Sequence, residues 1–174
     1  MRTVNEEDHI DRWLASHELP GAVDLEVEGI VDRINGIRRR LNRMLDETLS
    51  EFGLTDGEWK ALTHLQLDGP PHRKSVGKLA KWADLSSGAM TSRIDGLERR
   101  GLVQRVPDPD DRRGVLVQLT DTGRRTWEES VSVQAEKESL IASALSEDEK
   151  KQLNTLLRKL TLAFEQPKKK REAA

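Results

Sequence analysis

The chain has no cysteine and no tyrosine among its 174 residues. The first absence excludes disulfides, thiolate zinc sites and thiol redox sensing. The second removes a common acid and base. No apolar run is long enough to cross a membrane. The N-terminal stretch up to Trp13 is too acidic for a secretory signal, so a cytoplasmic protein with no membrane partner is expected. The sequence also lacks a Gly-rich phosphate loop, a nucleophile elbow and a His-Glu-x-x-His signature. Its four histidines are His9, His17, His64 and His72, and the small cluster of Asp8, His9 and Asp11 lacks the spacing of a closed metal site. The expectation is therefore a protein that is not an enzyme and carries no cofactor and no metal.

Charged residues make up 34% of the chain and apolar residues 35%, which predicts a modest core and long solvated helices. The net charge of −2 hides an asymmetry. Between Pro70 and Gly114 there are ten Lys and Arg against six Asp and Glu. A basic middle in an otherwise acidic chain points to a local anionic partner.

The most informative stretch is residues 101–120. Two short alternating runs, Leu102 to Val106 and Val115 to Leu119, flank a tip carrying Pro107, Pro109, three aspartates, Arg112, Arg113 and Gly114. Period-two alternation around a Pro/Asp/Gly cluster predicts a two-stranded hairpin. Upstream, helical periodicity and caps predict a short helix over 6–17 and a long one from about Asp24 to Glu51. A third helix opens with the capping box Thr55–Glu58 and runs to about Leu67. Ser75 caps a short helix to Ala83, and Ser86 or Ser87 caps another through Arg100, which Gly101 ends. After the hairpin a helix runs from Thr120 to about Leu145. A last one opens at Ser146–Glu149, with Leu153, Leu156, Leu157 and Leu160 on its apolar face.

This order predicts a mainly α protein with a small β-hairpin wing. Its parts are N-terminal helices of a dimerisation region (1–53), a winged helix-turn-helix DNA-binding domain (54–120), C-terminal dimerisation helices (121–166) and a disordered basic tail (167–174). The helices at the two ends carry apolar stripes with little core of their own to pack against, so an interlocked two-fold homodimer is expected.

On a helical wheel, Met90, Ile94 and Leu97 define the buried side of the 86–100 helix. The opposite side shows Gly88, Ser92, Asp95, Gly96 and Arg99, flanked by Ala89 and Arg93. Small side chains let a helix sink into the major groove. There Ser86, Ser87 and Ser92 are candidate DNA contacts, Arg93 matches guanine O6 and N7, and Arg99 lies near phosphate. Arg73, Lys74, Lys78 and Lys81 suit the backbone. In the wing, Arg113 is the candidate for the minor groove and Arg112 for phosphate, with Asp111 holding the arginine side chain extended. Double-stranded DNA is the expected partner. A winged-helix nucleoid or protein-interaction module without ligand response is the alternative.

The run Leu85-Ser86-Ser87-Gly88-Ala89-Met90-Thr91-Ser92-Arg93-Ile94-Asp95-Gly96-Leu97 through Gly101-Leu102-Val103, with Asp108-Pro109-Asp110-Asp111-Arg112-Arg113-Gly114 and Leu119-Thr120-x-x-Gly123, closely resembles the MarR family of transcription regulators. The resemblance covers roughly residues 25–165. It implies a homodimer on a pseudo-palindromic operator, and commonly repression relieved by a small anionic or aromatic ligand in the crevice between dimer helices and DNA-binding lobe. A narrower similarity, to the urate-responsive branch, implies ligand contacts from Trp13 and Arg93. That branch usually has an aspartate where this chain has Lys60, and a lysine favours a more acidic ligand such as a carboxylate.

Overall fold

The computed structural model describes residues 7–18 and 20–165. The elements are α1 (His9–Ser16), α2 (Leu25–Glu51), α3 (Asp56–Leu67), β1 (Arg73–Lys74), α4 (Val76–Trp82), α5 (Ser87–Arg99), β2 (Val103–Pro107), β3 (Val115–Leu119), α6 (Asp121–Ala144) and α7 (Glu147–Glu165). The tail at 167–174 and the expected start of the first helix at residue 6 lie outside the described residues.

Local chemistry sets most boundaries. Asp8 accepts the Ile10 and Asp11 N–H groups and starts α1, and Asp24 does the same for α2. Thr55 and Glu58 exchange side-chain and backbone bonds at the start of α3, the reciprocal cap that satisfies orphan donors. Ser75 and Ser86 cap α4 and α5. The sharp turn between those helices places Asp84 at φ 55°, a region that aspartate tolerates better than most side chains.

These helices share one apolar centre. Leu62, Leu65, Leu79, Met90, Ile94, Leu97 and Val117 are fully buried, each favouring the fold by about 1.5–3 kcal/mol before chain entropy is subtracted. The first part of α6 closes over this core. Trp127 Nε1 donates to Thr63 Oγ1 (2.9 Å), Trp59 Nε1 donates to Ser130 Oγ (3.1 Å), and Thr48 Oγ1 donates to Gln134 Oε1 (2.9 Å). At the entry to α6, a Cβ on Gly123 would lie 1.9 Å from the Leu102 carbonyl oxygen. Only glycine allows that approach.

The sheet has three antiparallel strands in the order β1-β3-β2, one more than the expected hairpin. Arg73 pairs with Gln118 and Lys74 with Val117. A two-residue strand has too little alternation to read in sequence. It exists because the chain turns at Gly69 (φ 75°) and His72 (φ 54°) and lies along the free edge of β3.

The chain divides into two compact units, Met1–Gln134 and Ala135–Ala174. The division falls inside α6, where the bonds of Trp127, Ser130 and Gln134 hold the first half of that helix to α2 and α3. Within the first unit, α2 leaves Val27, Ile30, Ile34 and Ile37 between 42% and 53% exposed. In the second unit, no described residue of α7 is buried, and Leu153, Leu156, Leu157 and Leu160 stand open along one face.

Candidate nucleic-acid interface

Helix α5 turns Met90, Ile94 and Leu97 into the core, so its other face is set by the 3.6-residue repeat. Ser86, Ser87, Gly88, Ser92 and Arg99 are exposed there, and Ala89 is half-buried beside them. The Ser86 hydroxyl oxygen accepts the Ala89 N–H at 3.2 Å, which caps the helix and leaves its O–H to donate.

Three residues of that face turn elsewhere. Gly96 sits against α3, where a Cβ would come 3.0 Å from Glu58 Oε1. Asp95 faces the wing and pairs with Arg105. Arg93 folds back over the start of α3. Its Nη1 donates to the Ala89 carbonyl (3.0 Å), its Nε is buried without a hydrogen-bond partner among the described residues, and a Cβ on Gly57 would fall 2.1 Å from that Nε. The missing side chain at Gly57 is the space that Arg93 fills. In this conformation its guanidinium is packed on protein, and a guanine contact requires it to swing out.

The wing tip is built by its acids. Asp108 Oδ1 accepts the Asp110 N–H (3.0 Å) and Asp111 Oδ1 accepts the Arg113 N–H (2.9 Å). The Asp108 N–H donates to the Gly114 carbonyl, and the Gly114 N–H to the Asp111 carbonyl. Asp111 thus holds the backbone of Arg113, whereas the expectation was a bridge to an arginine side chain. A carboxylate two residues before an amide in a turn closes on that amide. The guanidinium groups of Arg112 and Arg113 are left exposed, with no acidic partner among the described residues.

Among the expected backbone contacts, Lys78 and Lys81 are exposed on α4, and Arg73 is half-buried in β1. Lys74 pairs with Asp68 instead of standing free, which holds that carboxyl below its usual range. Burial, and then the Lys74 charge, pushes the His64 ring below its ordinary value. His64 stacks on Trp82 at 4.5 Å.

The cleft that Trp13 lines includes neither Lys60 nor Arg93. Trp13 is 41% exposed, stacks on His17 at 4.8 Å, and lines a cleft of about 290 Å³ with His9, Ile10, Asp32 and Arg39. Lys60 pairs with Asp56 at 2.7 Å, and Arg93 lies over Gly57. The acids near His9 are likewise engaged, since Arg33 binds both Asp8 and Asp11.

Two arginines that sequence reasoning passed over organise the interface. Arg100 Nη2 lies 2.8 Å from Glu58 Oε1, and Nη1 donates to the Gly53 carbonyl, tying the end of α5 to the α2–α3 junction. Arg105 joins β2 to α5. The available signal was charge complementarity between a strand arginine and acids on the preceding helix.

A short helix, a tight turn, a second helix with an open face of small residues, and a hairpin tipped with free arginines define a winged helix-turn-helix transcriptional regulator. The model of the MarR family matches residues 54–115. Over 158 residues the chain is 32% identical to the HTH-type transcriptional regulator PecS of Dickeya dadantii, spanning 90% of this chain and 92% of that one. Among solved structures, a MarR family protein from Bacillus stearothermophilus superposes with a TM-score of 0.71 at 26% identity, over 81% of this chain and 96% of that one. A mutant of MarR from E. coli complexed with operator DNA does so with a TM-score of 0.61 at 29% identity, over 79% and 99%. The chain belongs to the MarR family.

Proposed function

We propose that the protein is a homodimeric repressor that grips a pseudo-palindromic operator in the cytoplasm and loosens when a small anionic or aromatic effector binds. The observation that carries the DNA reading is the open, small-residue face of α5 beside a wing whose acids rigidify the backbone and leave Arg112 and Arg113 free. The helix suits the major groove and Arg113 the minor groove, while Arg99, Arg112 and Lys78 meet phosphates.

The uncovered apolar faces of α2 and of α7 support the two-fold assembly. Soluble monomers seldom expose contiguous apolar strips, and a two-fold protein matches a two-fold site. The effector reading rests on the half-exposed ring of Trp13 and on the buried, unpartnered Nε of Arg93, with Lys60 as a further cation. An anion that recruited Arg93 would bias how α5 meets the groove.

Selection of random duplexes against the full-length protein tests this reading. Two inverted half-sites, about 34–36 Å between centres, are expected. Salt-sensitive binding with no selected sequence would instead assign the protein to nonspecific DNA packaging. A titration of the selected duplex with aromatic carboxylates should release it. Release that persists in Trp13→Ala would remove that ring from the effector site.

A further inference from the structure

Arg105 lies on the strand that leads from α5 into the wing. It shares a sheet face with Val103 and is paired with buried Val117, the face that covers α5. From there its guanidinium reaches back to the helix. Nη2 is 2.6 Å from Asp95 Oδ1, Nη1 bonds Glu98 Oε2, and the Arg105 backbone N–H donates to Glu98 Oε1 at 2.9 Å. Asp95 and Glu98 are three residues apart on α5 and so stand on one side of it. A planar five-donor fork suits two carboxylates at once. The two acids, the Asp95 bond foremost, hold the guanidinium proton more firmly than usual.

A lone surface ion pair holds little. Here the strand is already held by its pairing with β3, so forming the contact restricts side-chain but little further backbone freedom. The acids also stand on a helix that would otherwise repel phosphates. We propose that Arg105 is a positioning residue that locks the wing to α5, so that the helix and the arginine-bearing tip enter neighbouring grooves as one rigid reader. Asp95 and Glu98 serve this lock and do not read bases. The proposal rests on the DNA-binding function inferred above, and it adds which residues align the two reading elements.

The lock and simple charge neutralisation make different predictions for operator binding by fluorescence anisotropy. Arg105→Ala weakens binding about tenfold. The charge-balanced triple variant Arg105→Ala with Asp95→Asn and Glu98→Gln stays weak, and Arg105→Lys recovers part of the loss. Arg113→Ala has a much smaller effect in the Arg105→Ala background than alone, because a loosened tip no longer delivers its arginine. In the free protein, hydrogen exchange in β2 and across the tip at 108–114 rises severalfold in Arg105→Ala, with an unchanged melting curve. Where Arg105→Ala does not fold, the Asp95→Asn, Glu98→Gln double variant should show the same faster exchange. Recovery of full affinity in the triple variant, independent effects of Arg105 and Arg113, or unchanged exchange would each overturn the lock. The exchange arm needs no DNA, so failure to select any operator would count against the DNA reading without deciding this one.

Discussion

The DNA-reading lobe and the last helix treat their apolar residues in opposite ways. Between α3 and β3, most large aliphatic side chains are spent on a shared centre, and Leu62, Leu65, Ile94 and Leu97 have no exposed surface. Helix α7 has a comparable leucine repeat, yet none of its described residues is buried. Helix α2 shows both habits, with Leu49 buried near its end and Ile30, Ile34 and Ile37 open further back. A lobe that satisfies itself can fold to read DNA within one chain. An open stripe needs a second surface, and amphipathic periodicity alone does not distinguish the two cases.

That contrast can be broken at four points. The largest expected effect is at Gly123. Valine there drives a side chain into the Leu102 carbonyl and should destabilise the lobe by about 4 kcal/mol or more, read as loss of the cooperative thermal transition. Next, Ile34→Glu with Leu157→Glu should leave the melting of the lobe core largely intact while halving the mass seen by light scattering, with loss of operator binding. A mass that does not change would show that these stripes are not the dimer surface. Third, Arg113→Ala should weaken operator binding by about 1–3 kcal/mol with no change in melting, since the residue is exposed and the turn is held by Asp111 and Asp108. The smallest effect concerns the attachment of α1. The Asp11 N–H, opposed by burial and helped by Arg33, holds the Asp8 carboxyl at about 2. A carboxyl depressed in the fold favours it above the unfolded value of about 4, and that contribution fades as pH falls toward 2. The Trp13 indole resonance should therefore shift between about pH 4 and pH 2 as α1 loosens from α2. Asp8→Asn should produce part of that shift at neutral pH.

Much of the local structure around α5 and the wing was legible beforehand, for reasons particular to each residue. Ser75, the Ser86–Ser87 pair and the Thr55–Glu58 pair announced helix starts because a cap involves partners within three positions. The alternation from Leu102 to Val106 and from Val115 to Leu119 announced the wing because strand faces repeat every two residues. For Arg93 a wheel gives the direction of the Cβ only. A long side chain then goes where space and partners exist, and here Gly57 supplies the space. Asp95 turned to Arg105 for the same reason, whereas Gly96 has no side chain to turn and its backbone lies against Glu58 because α3 packs on that side of α5. The strand Arg73–Lys74 was too short to carry a pattern at all.

The linear order of residues by itself determined where helices begin and end, which face of α5 is apolar, and that a turn rich in Asp, Pro and Gly presents two arginines. Those features depend on neighbours a few positions away and on fixed backbone periods. Tertiary structure alone decided what each long charged side chain does: Arg93 packed over Gly57, Arg100 bracing Glu58, Arg105 bridging to Asp95 and Glu98. Flexible side chains select among partners that folding brings together from distant parts of the chain, and no local period encodes that selection.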